Sequence, residues 1–232
     1  SRVALVTRSN AAELEATGRK DSVLWLGIYS NRYCFALFAP LTIFLLTYGT
    51  ELIRLWISPE VAEHSAPLLP ILAPVIALVM AGQYNSSAIL YGIGKHQRYA
   101  QSVLAEAAIV IAGMWFVIPR YGIWGAAVVS SAAMVLSRGL FTPWLVCNSL
   151  DFPFPTYMRQ IYWRPLLAAA PVWALALLLK PWLTGNGWGS LIAGGACISI
   201  SYLAIAVAIC VEPAHRAVLA SWVKQRRLKA HQ

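Results

Sequence analysis

The sequence predicts an all-α fold: a polytopic transmembrane helix bundle with six spanning helices. Three observations carry that expectation. Only 12% of the residues are charged, about half of the roughly 25% usual in a soluble domain. Hydrophobic types make up 59% and the mean hydropathy is +0.63. The apolar residues also gather into six stretches near the length of about 20 residues that crosses a bilayer as a helix. This composition excludes a disordered chain, a soluble α/β enzyme and a disulfide scaffold. Ten Trp and ten Tyr suit a chain with two water–lipid interfaces to mark.

Residues 1–23 form a polar connector without a signal-peptide pattern. Ser1 stands where a complete chain would carry Met, so a piece of a longer protein is expected. The spans follow at 24–47, 66–92, 99–118, 123–147, 165–183 and 188–211. The first four make a segment over 24–147 and the last two a segment over 165–211. The fifth is the weakest, because Pro171 interrupts it and Lys180-Pro181 cuts it short.

Short turns at 95–98 and 120–122 predict antiparallel neighbours. In the longer connection at 48–65, Ser58-Pro59-Glu60 reads as a helix start. It offers a capping hydroxyl, Pro at the first helical position and an acid near the positive dipole end. Pro67, Pro70 and Pro74 share roughly one face of the second span and permit bending. Ala193, Cys197 and Ser201 form a small-residue stripe suited to close helix contact. The four cysteines lie in or beside apolar stretches, lack metal-ligand spacing and read as apolar fillers.

Orientation comes from Lys and Arg. Placing the N-terminus in the cytoplasm puts 13 of the 18 basic residues inside and leaves Arg54, Arg120 and Lys180 outside, with Arg32 and Arg138 within spans. That is a strong positive-inside asymmetry, and it predicts two cytoplasmic termini. The net charge of +9 therefore belongs to membrane topology, and no nucleic-acid partner is expected. The loop 148–164 and the basic tail 212–232 mix aromatic and basic residues. They fit either an interfacial position against membrane lipid or a solvated flank.

Charges inside spans are expensive, about 2.5–3.5 kcal/mol each at mid-bilayer. Arg32, Glu106 and Arg138 lie seven or eight residues from the inner ends of their spans, roughly 10–13 Å deep at 1.5 Å per residue. Gln83 and Asn85 lie at a similar depth in the second span. One polar layer on four helices suggests a substrate cavity. Two Arg against one Glu would favour an anionic group such as phosphate. The competing reading is that the arginines snorkel to the headgroups or that Glu106 pairs with one of them. No Ser/His/Asp arrangement, HExxH or Walker loop is present, so no enzyme activity, metal or cofactor is expected. Glu212 and Asp151 look isolated.

Two motifs add a resemblance. Gly92-Ile93-Gly94-Lys95-His96-Gln97-Arg98, an apolar helix, then Ile118-Pro119-Arg120-Tyr121-Gly122-Ile123-Trp124-Gly125-Ala126-Ala127 resembles the C-terminal half of polysaccharide biosynthesis membrane proteins. These are lipid-linked oligosaccharide flippases of the multidrug/oligosaccharidyl-lipid/polysaccharide exporter superfamily. Leu52-Ile53-Arg54-Leu55-Trp56 and the polar stretch 8–21 resemble the segments that precede. The resemblance covers about 8–147. It implies part of the second lobe of a two-lobe transporter with 12 to 14 spans, its N-terminal lobe missing here. It also implies a bacterial inner-membrane location and a polyprenyl-pyrophosphate-linked oligosaccharide as substrate. No site residue carries over from the family. A drug/cation antiporter of the same superfamily is disfavoured by the single intramembrane acid. A non-transporting membrane scaffold remains open.

Overall fold

The computed structural model describes residues 9–14, 16–185, 187–213 and 215–217, and the side chain of Gln83 lies outside the described residues. Among them the chain is helical, without strands. Helix α1 spans Lys20–Trp56 and α2 spans Pro59–Ser65. A 3-10 turn at Ala66–Leu68 leads into α3, Leu69–Gly92. Helix α4 covers His96–Met134, a π-helical turn covers Val135–Phe141 and α5 covers Thr142–Ser149. Helices α6, Phe154–Leu183, and α7, Gly187–Ile209, complete the order.

Among the described residues, five helices are long and apolar enough to cross a membrane, where six spans were expected. The difference lies at Gly122. The third and fourth predicted spans form one helical stretch, His96–Ser149, of 54 residues, which would be about 81 Å long if straight. It is not straight. Gly122 has φ 53° and ψ −136°, a conformation that side-chain-bearing residues avoid. Beyond it the chain returns along itself: a Cβ placed on Gly113 would lie 2.7 Å from Val129 Cγ1. Glu106 likewise meets Arg138. The tight turn expected at 120–122 is therefore a backbone reversal at Gly122, where non-helical dihedrals separate two helical arms.

Other boundaries also run longer than hydropathy alone suggests. Ser58 has extended dihedrals and its Oγ accepts from the Val61 N–H at 3.2 Å, so α2 starts at the expected cap. The second span is thus prefaced by α2, and the break between α2 and α3 is the 3-10 turn that holds Pro67. Helix α6 passes through Pro165, Pro171 and Pro181 without ending. It absorbs 154–164, most of the stretch expected as an interfacial loop. The tail beyond residue 217 lies outside the described residues.

Helix α1 is the hub, packed on α3, α6 and α7, while the α4–α5 hairpin rests on α3. Two apolar clusters sit at the two ends of α1. Near its start, Val23, Leu24 and Ile28 meet Ile89 and Leu90 of α3, Leu145 and Val146 of α5, and Tyr157 and Ile161 of α6. Farther along, Ala39, Ile43 and Tyr48 meet Ala168, Val172 and Ala176 of α6 and Ile198 and Tyr202 of α7. The buried stripe on α7 is Leu191, Gly194, Ile198, Tyr202 and Ala206. The expected contact stripe of Ala193, Cys197 and Ser201 is displaced from it, with Ala193 exposed. The expected set stands one residue before Gly194, Ile198 and Tyr202, which turns it about 100° around the helix from the buried face. All four cysteines are free, with Cys147 and Cys210 buried. Trp115, Phe116 and Leu178 are more than 70% exposed. So much large apolar surface turned outward fits a lipid solvent.

Candidate functional site

The residues around Arg32 form the most connected polar group. Arg32 is almost fully buried on α1. Its Nε donates to the Gln160 backbone carbonyl of α6 at 2.8 Å, and its Nη1 donates to Glu212 Oε1 at 3.0 Å. Arg164, also on α6, donates from Nη1 to the same Oε1 at 2.6 Å. One carboxylate therefore serves two guanidinium groups, which leaves one positive charge over. Burial pulls the Glu212 carboxyl upward, but the hydrogen bonds from Arg32 and Arg164 outweigh it and hold it below the usual carboxylate range. The Arg32 guanidinium also lies 5.4 Å from the Tyr29 ring centroid, within cation–π range.

The chain beyond α7 closes over this group. His215 Nδ1 is 2.6 Å from Tyr33 Oη, and its ring meets Tyr29 edge-on with centroids 5.1 Å apart. Helical spacing places Tyr29 and Tyr33 on one face of α1, so the turn after α7 finds two rings and a guanidinium together.

Arg138 belongs to a second group, inside the hairpin. Its Nε donates to Glu106 Oε2 and its Nη2 to Glu106 Oε1, both at 2.8 Å. That is a bidentate fork, the strongest common geometry for this pair. The Glu106 side chain is 5% exposed and that of Arg138 25% exposed. Arg138 sits in the π-helical turn, a distortion frequent at functional positions. Gly82 of α3 backs this turn so closely that a Cβ there would lie 2.8 Å from the Arg138 carbonyl oxygen. Ser131 and Ser137 bury hydroxyls that have no hydrogen-bond partner among the described residues. The cleft between the hairpin arms, about 520 Å³, includes Ser102, Glu106 and Ser137, but its walls are mainly aliphatic.

Asn85 is buried on α3. The polar contact at that level is made by its neighbour. Asn31 Nδ2 donates to Ser86 Oγ at 3.0 Å and to Tyr157 Oη at 2.9 Å, while Asn31 Oδ1 has no partner among the described residues.

The expected single layer thus resolves into separate groups. Arg32, Asn85 and Glu106 are buried in the bundle. Arg138 meets Glu106, but Arg32 instead meets Glu212. The apparent isolation of Glu212 is corrected: it bridges Arg32 and Arg164. Arg164, Glu212, Asn31 and His215 were missed as site residues. A signal for two of them existed. Arg164 directly precedes one predicted span and Glu212 directly follows another, both at the end of the bundle from which Arg32 is measured.

No protein-family model matches this chain, and neither the curated proteins nor the solved structures contain a significant match to it.

Proposed function

We propose that this chain is the membrane-embedded C-terminal part of a transporter that flips polyprenyl-pyrophosphate-linked oligosaccharide across the bacterial inner membrane. Its basic end faces the cytoplasm in this reading. The resemblance over 8–147 supplies the substrate class, and the asymmetry of Lys and Arg supplies the orientation. The observation that carries the reading is the sharing of Glu212 by Arg32 and Arg164. A pyrophosphate reaching this end would meet surplus positive charge already held in position by Gln160 and Tyr29. It would compete with Glu212 for two planar donors, each able to bind phosphate bidentately. Glu106 would hold Arg138 in the same way when substrate is absent. Alternating access needs a second lobe moving against this one, so the chain alone would not transport.

Complementation of glycan export in the full-length protein tests the reading. Arg32→Ala and Arg138→Ala should both reduce export, and replacement by Lys should reduce it less. Full export by both Ala variants at normal protein levels would overturn it.

One observation favours a second reading, a non-transporting membrane scaffold. The Glu106–Arg138 fork is closed within this chain, and the neighbouring cleft is mainly apolar. In that reading the pair serves folding alone. Replacing both partners by Leu would then leave function intact.

A further inference from the structure

A cavity of about 430 Å³ lies where the turn between α3 and α4 meets the end of α5. Lys95, Gln97 and Arg98 line one side, and Asn148 and Ser149 line the other. Its lining contains two cations, two amides and a hydroxyl, with no acidic residue. The clefts along α1 and α7 and between the hairpin arms are instead walled mainly by aliphatic and aromatic side chains.

We propose that this cavity is a binding site for a phosphate ester, distinct from the Arg32 and Arg138 groups and independent of the transporter reading. Three features support it. Lys95 and Arg98 bring two positive charges to one concavity, and Arg can take phosphate oxygens in a planar fork. Gln97, Asn148 and Ser149 add neutral donors from two different elements, which fixes position as well as sign. The third feature is its level in the bundle. Beside the cavity Tyr91 stacks on His96 with centroids 5.7 Å apart, and Tyr99 meets Tyr91 edge-on at 5.9 Å. Aromatic groups of this kind mark the headgroup level of a bilayer. Two sources share the chemistry: the headgroup of an anionic phospholipid, and a soluble phosphate monoester.

The test uses the whole chain in nanodiscs. Spin-labelled phosphatidylglycerol, with phosphatidylcholine as reference, reports the lipid arm. Added sn-glycerol 1-phosphate, as competitor and as direct ligand by calorimetry, reports the soluble arm. Lys95→Ala and Arg98→Ala should each weaken phosphatidylglycerol binding about fivefold, from the usual contribution of one basic residue near anionic lipid. Asn148→Leu, which changes no charge, should weaken it about threefold, the size of one neutral hydrogen bond. Arg19→Ala/Lys20→Ala, at exposed positions outside the cavity, should leave it unchanged. Displacement of the lipid by sn-glycerol 1-phosphate, with direct binding lost in the Lys95 and Arg98 variants, would assign the site to soluble esters. Lipid binding without such displacement would assign it to headgroups. The proposal is overturned if the Lys95 and Arg98 variants keep parental binding in both arms. It is also overturned if the Arg19/Lys20 variant loses as much as they do, since that is diffuse surface attraction. These exposed substitutions spare the core, and unchanged circular dichroism would verify that each variant folds.

Discussion

Removing the Glu106 carboxylate should destabilise the protein strongly, and removing both members of its pair should not. Glu106 is 5% exposed and Arg138 25% exposed at the side chain, and the two share two bonds of 2.8 Å. Deleting one partner of a buried pair typically costs 3–5 kcal/mol, because the other charge stays desolvated. Arg138 keeps a quarter of its side-chain surface, so the lower end applies, about 3 kcal/mol for Glu106→Ala. For a chain of this size each kcal/mol moves the melting midpoint by about 2–4 °C, which gives a fall of about 6–12 °C. Glu106→Leu/Arg138→Met fills the space with apolar side chains and should lie within about 1 kcal/mol of the parent. Thermal unfolding of the purified chain in detergent, read across the full double-mutant cycle, measures the coupling. If Arg138 instead snorkels to the headgroups, Glu106→Ala costs little and the two substitutions add within about 0.5 kcal/mol. That additive outcome would refute the fork as a structural pair, and with it the placement of Arg138 by Glu106.

Glu212→Gln should cost about 2 kcal/mol at neutral pH through weakened bonds to Arg32 and Arg164. Its folded carboxyl titrates below the usual carboxylate range because Arg32 and Arg164 hydrogen-bond the charged form, so its contribution is full above the unfolded value and disappears as pH falls through the depressed folded value. The difference between parent and Glu212→Gln should therefore be flat from about pH 8 to about pH 5 and shrink at more acid pH; a difference that grew on acidification would contradict the shared-carboxylate geometry. Gly122→Ala should destabilise the hairpin by about 1–3 kcal/mol from backbone conformation alone, because open space surrounds the new methyl group, and unchanged melting would show that the reversal lies elsewhere. In export complementation of the full-length protein, Arg138→Glu should be worse than Arg138→Ala, since it sets two carboxylates together in place of the fork. Cysteine introduced at Ser58 should react with an impermeant reagent in intact cells, and labelling only after membrane disruption would reverse the proposed orientation.

Much of this fold is legible in local sequence. Helix class and approximate spans follow from mean hydropathy over windows of about 20 residues, a property that needs no partner. The start of α2 follows from three adjacent residues, Ser58-Pro59-Glu60, because a cap is satisfied within its own first turn. The cost of charge in lipid singled out Arg32, Glu106 and Arg138 as residues needing partners. Which partners they take is a different kind of fact. Arg32 finds Glu212 at a separation of 180 residues, and Arg138 finds Glu106 at a separation of 32. Depth along each span places a residue on one coordinate only, whereas pairing depends on the rotation of each helix and on which helices are neighbours. Those are set by side-chain packing on α1 and by the reversal at Gly122, summed over the whole bundle. The amino-acid sequence by itself thus determined that these charges stand within apolar stretches, where exposure to lipid is costly. Only the tertiary structure decided that they are satisfied in separate groups, because partner choice arises from contacts no single helix contains.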